Sequence, residues 1–108
     1  MHGLLAVVVA LTGLHGVVTR GPTQPVCQVG KPCTEPAVGA TLAFVRGGRI
    51  VARVRTGAGG RYAVRLAPGL YAVRVVPKQD LGGLRPGGVR VRRGVDARVD
   101  FAIDTGIR

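Results

Sequence analysis

Apolar and polar residues alternate with period two along most of this chain, and glycine or proline interrupts the alternation every few residues. No other feature restricts the fold as much. Successive side chains of a strand point to opposite faces, so each alternating run has one side for a core and one for water. Apolar residues nowhere recur at i, i+3, i+4 and i+7 over three turns. Strong helix formers are scarce, with Glu only at Glu35 and Met only at Met1.

Seven strands are predicted, over 14–19, 40–46, 49–56, 61–66, 70–76, 89–92 and 98–103. Gly47-Gly48 makes a two-residue hairpin turn, because both positions can take positive φ. Thr56 to Gly60 and Ala67-Pro68-Gly69 are further turns, and Lys78 to Gly88 reads as a loop. Seven short strands with turns between them predict an all-β, two-sheet sandwich. Its inward side reads as Ile50, Ala52 and Val54; Tyr62, Val64 and Leu66; Tyr71, Val73 and Val75; Val99, Phe101 and Ile103. The other side carries Arg53, Arg55, Arg65, Arg74, Arg90, Arg92 and Arg98, while Phe44 is read as facing out.

A length of 108 residues fits one domain, whose modest core hides only about two-thirds of the unfolded surface. Leu4–Leu11 is an apolar run too short to span a bilayer as a helix. It fits the core of a secretory signal, with Val8-Val9-Ala10 before a cleavage point and an n-region of only Met1-His2. Residues 1–10 are therefore read as a signal segment and 11–108 as the sandwich domain. The other reading of 4–10 is an extra edge strand. In an exported chain, Cys27 and Cys33 read as a disulfide. The bond staples the irregular segment 20–39, which Pro22, Pro25, Pro32 and Pro36 also stiffen, and this segment is a candidate recognition element.

Fourteen Arg and two Lys against five acids give a formal net charge of +11. Arg in place of Lys, with abundant Gly, Ala, Val and Pro, is what a GC-rich coding sequence yields. The sharper reading is an anionic partner. No aromatic residues interleave the basic ones, so nucleic acid is the less expected polyanion. Ser, Asn and Trp are absent, and His occurs only at His2 and His15. That set makes a poor catalytic kit, so no enzyme activity, metal or cofactor is expected. His15 reads as a surface or edge residue. Asp104-Thr105-Gly106 repeats the aspartic-protease triplet, but only two residues follow it.

Three motifs occur in order: Pro36-Ala-Val-Gly-Ala-Thr-Leu, Thr56-Gly-Ala-Gly-Gly-Arg-Tyr-Ala-Val, and Leu66-Ala-Pro-Gly-Leu-Tyr-Ala-Val. Together they resemble the carboxypeptidase regulatory-like domain in a bacterial secreted form, across residues 13–103. The resemblance implies a seven-stranded Greek-key, prealbumin-like sandwich and an accessory or binding role. The Asp common in that family before the Gly-aromatic pair is replaced by Gly57 and Gly59, which argues against calcium there. Two enzyme families share the sandwich, and neither fits. Intradiol dioxygenases need two His beside two Tyr, and the hydroxyisourate hydrolases need several His and a different C-terminal tetrapeptide.

The functional expectation is an exported, non-enzymatic module for binding or scaffolding at the cell envelope. It would recognise an anionic or carbohydrate polymer through Arg53, Arg55, Arg65 and Arg74. The competing expectation is a structural domain with no ligand of its own.

Overall fold

The computed structural model describes residues 11–77 and 83–107. The signal segment read over 1–10 lies outside them. Among the described residues ten strands form, in two sheets. The first sheet is built round β1 (Gly13–Gly21), whose two halves have different neighbours. Residues 13–17 pair antiparallel with β5 (Arg61–Arg65), and Gly13 to His15 also pair parallel with β9 (Asp96–Arg98). Residues 18–21 pair parallel with β10 (Phe101–Asp104), and Thr19 and Arg20 with the short β2 (Glu35–Pro36). The outer strand β7 (Leu84–Arg85) joins β10. The second sheet is antiparallel throughout, in the order β4-β3-β6-β8, made of Arg49–Arg55, Thr41–Arg46, Gly69–Val76 and Gly88–Val91.

One cluster of buried residues draws on both sheets, which makes the fold sandwich-like. Leu14, Val18, Tyr62, Phe101 and Ile103 come from the first sheet; Leu42, Phe44, Tyr71, Val73, Val75 and Val91 come from the second. Fully burying side chains of this size stabilises by about 1.5–3 kcal/mol each before chain entropy is counted. The tyrosines keep their hydroxyls satisfied while the rings are buried: Tyr62 donates to the Val99 carbonyl and Tyr71 to the Ala67 carbonyl.

Four expectations change. Phe44 is fully buried, since it shares the inward parity of Leu42, and Ala43 and Val45 take the outer side. Ile50 does not extend the inward file of Ala52 and Val54, because a register shift between Phe44 and Val45 pairs it with the outward Val45. The strand read over 98–103 is broken at Val99-Asp100 into β9 and β10. The loop read over 78–88 contains β7, and its residues 78–82 lie outside the described ones.

The turn after β4 has the largest consequence. Gly47 and Gly48 take φ of 60° and 78° and make the expected hairpin between β3 and β4. Residues 56–60 instead carry the chain from one sheet to the other. Thr56, buried there, accepts from the Ala40 amide and donates to the Ala37 carbonyl, which ties the crossing to the β2–β3 connection. Gly60 has φ 75°, and a Cβ on it would stand 2.3 Å from the Val18 carbonyl oxygen, so no other residue fits.

Candidate functional site

Every ionisable side chain on the four-stranded sheet is an arginine, apart from Tyr71 in the core: Arg46, Arg49, Arg53, Arg55, Arg74 and Arg90. Strand register sets their spacing. Ala43 pairs with Arg53 on one side and Arg74 on the other, so the three form one row across β4, β3 and β6. Neighbouring strands are about 4.8 Å apart, which places the two arginine backbones about 10 Å from each other. Ala43 faces outward between them and is fully buried. Thr41 lies beside Arg55 in the next row, about 7 Å along the strand.

The remaining expected arginines are dispersed. Arg65 sits on β5 in the other sheet, paired with Gly13, so it does not share a face with Arg53, Arg55 and Arg74. Arg98 is on β9, and Arg92 follows β8 in the turn to β9. Arg46 has a structural job: it lies 5.8 Å from the Tyr71 ring centre and donates to the Pro68 carbonyl. Next to it, a groove of about 610 Å³ runs over Val45, Leu70, Ala72, Gly88 and Arg90 on the same outer face.

The six-stranded sheet is different, because its acids fasten it. Asp100 accepts from the Val17 amide at 2.9 Å and pairs with Arg98 at 3.3 Å. The Val17 amide, followed by Arg98, holds the Asp100 carboxyl below its ordinary range, against an opposing effect of burial. His15 Nδ1 stands 2.9 Å from Asp96 Oδ1, a partner that sequence reading did not find. Burial pushes the Tyr62 hydroxyl up, and Asp100 and Asp96 add to the effect.

Cys27 and Cys33 are bonded, with Cα atoms 5.6 Å apart. Within the segment 20–39, Arg20 and Gly21 continue β1 and Glu35–Pro36 forms β2. The stretch between them is mostly exposed, with Val26 and Val29 at the surface. Asp104 is part-buried at the end of β10, and its carboxylate accepts from the Gly106 amide. Among the described residues no group of three His, Cys, Asp or Glu is placed to hold a metal, and no helix is long and apolar enough to cross a membrane. The chain matches no family model, and no curated protein matches it.

Proposed function

We propose that this chain is an exported, non-enzymatic sandwich module that engages an anionic polymer of the cell envelope through the outer face of β4-β3-β6-β8. One observation carries the reading. That sheet has six arginines and no acid on its strands, and among the described residues none of Arg53, Arg55, Arg74 and Arg90 has an ion-pair partner. A planar guanidinium suits phosphate and carboxylate, and the shallow row over Ala43 offers a polyanion contacts on both sides. Exposed aromatic rings for stacking on a glycan are missing from this face, since Phe44 and Tyr71 are in the core. Charge, then, is the basis of recognition. Arg65 belongs to a different surface and drops out of the set.

The family assignment stays with the motifs. The Gly-Ala, Gly-aromatic and Pro-Gly-x-Tyr elements, in order over two sheets, favour a carboxypeptidase regulatory-like domain of the prealbumin-like, Greek-key type. Export is supported by the Cys27–Cys33 bond. The mature chain from native material should begin near Leu11 and lack two hydrogens by mass spectrometry. The function is tested by retention on purified envelope polyanions and on nucleic acid, from low to physiological salt. Loss of retention when Arg53, Arg55 and Arg74 become Gln supports it. Equal retention of wild type and variant would leave a structural domain with a solvated basic face.

A further inference from the structure

We propose that the β4–β5 crossing carries a second anion site, adjoining the polymer face at Arg55, that takes a phosphomonoester. A cleft of about 630 Å³ lies there, lined by Val54 and Arg55 from one sheet and by His15, Arg61, Tyr62 and Arg98 from the other. Arg55 ends β4 and Arg61 begins β5, so the crossing brings one arginine from each sheet to a common wall.

The basic side chains of the cleft divide in two. His15 is engaged by Asp96 and Arg98 by Asp100, at 2.9 and 3.3 Å. Arg55 and Arg61 have no carboxylate partner among the described residues. Two unengaged guanidiniums match an oxyanion with two negative charges, and their forked donors suit its tetrahedral oxygens. The Tyr62 hydroxyl is committed to the Val99 carbonyl and stays protonated, so it adds no negative charge to the wall. The cleft is far larger than a bare phosphate and falls in the range of small-molecule sites, about 300–1,000 Å³. Val54 and the glycine at Gly57 leave room for an organic group. A phosphodiester within a polymer carries one charge and is flanked on both sides. A terminal monoester carries two and is flanked on one. The site therefore reads a terminus or a free phosphorylated compound, unlike the polymer-facing row of Arg53 and Arg74.

Amide NMR titration of the chain tests this with three probes: glycerol 1-phosphate, dimethyl phosphate and inorganic phosphate. Saturable shifts are expected at Gly57, Arg61 and Tyr62 with the glycerol ester, and binding at least about tenfold weaker for the diester. Arg61→Gln should weaken the ester by a similar factor while the rest of the spectrum stays unchanged; the double variant Arg53→Gln, Arg74→Gln should not. Diester binding as tight as the monoester, or inorganic phosphate as tight as the ester, would overturn the assignment. So would shifts that never saturate and spread over all the arginines. Loss of polymer retention in the Arg53/Arg74 variant with ester binding intact supports both sites. Polymer retention that survives that variant sinks only the polymer reading.

Discussion

The two outer faces of the sandwich share strand geometry but not charge. The strands of the six-stranded sheet carry five arginines, Arg20, Arg61, Arg65, Arg85 and Arg98, and the acids Glu35, Asp96 and Asp104; Asp100 sits in the break between β9 and β10. The four-stranded sheet carries arginines alone. The difference follows the hydrogen bonding. β6 pairs with β3 and β8 in unbroken antiparallel ladders, and β3 pairs with β4 through a single register shift, so these strands bond one another without side-chain acceptors. β1 changes partners halfway, and at the break in the opposing strand the Asp100 carboxylate takes over the Val17 amide. Asp100 stands where the ladder needs an acceptor. The basic face has no such need, and its arginines have no mutual compensation.

The largest expected effect is on polyanion binding. With three phosphate contacts, raising salt from about 50 to 200 mM should weaken wild-type retention roughly 20- to 40-fold. The Arg53, Arg55, Arg74→Gln variant should lose this dependence, and Arg65→Gln should keep it. If Arg65→Gln loses as much, the two faces are not distinct and only net charge matters.

Next is Tyr62→Phe, on the balanced side. Removing the hydroxyl leaves the Val99 carbonyl without its side-chain donor, for a loss of about 1–2 kcal/mol in urea unfolding. No loss would mean that the carbonyl finds water.

Asp100→Asn sharpens the comparison through pH. The folded-state carboxyl titrates below its ordinary value, so its contribution is complete above the unfolded value, near about 4, and fades as pH falls through the folded one. The gap in thermal midpoint between wild type and variant should be full at neutral pH and close in strong acid. A gap that persists in acid would mean that packing, not the charge, was lost.

The smallest effect belongs to the basic face itself. Replacing Arg53, Arg55 and Arg74 with Gln should change stability by less than about 0.5 kcal/mol, since exposed like charges repel weakly. A larger loss would show that the arginine stems are needed to cover Ala43.

Much of the fold could be read from alternation and turn chemistry. The inward sets of β5, β6 and β10, the Gly47-Gly48 hairpin and the bonded cysteines were all readable, because each depends on local rules. Two things were not. The register shift beside Val45 reverses the parity of Ile50, and no residue type marks it. Thr56 to Gly60 has the composition of a hairpin turn, yet it crosses between sheets. That step depends on Thr56 reaching Ala37 and Ala40 and on Gly60 meeting Val18, which are contacts of tertiary structure. It moved Arg65 off the candidate face and brought Arg61 to Arg55, so the arginines were identifiable one by one but their grouping was not. The Asp96 partner of His15 was hidden for the same reason, being 81 residues away.

The shared strand β1 also governs the order in which the molecule can be completed. Its Val17 amide and the Asp100 that accepts from it are 83 residues apart, and its parallel partners β9 and β10 are the last strands of the sheet. A chain emerging from its N-terminus can close the β3–β4 hairpin at once. It must hold one side of β1 unpaired until nearly everything else has appeared. Such long-range closure puts the domain among slow folders, on the order of milliseconds to seconds, with an open strand edge that invites foreign pairing meanwhile. Shortening the chain before Phe101 should leave the Val18–Gly21 part of that edge permanently bare and make the product aggregate, as light scattering would show.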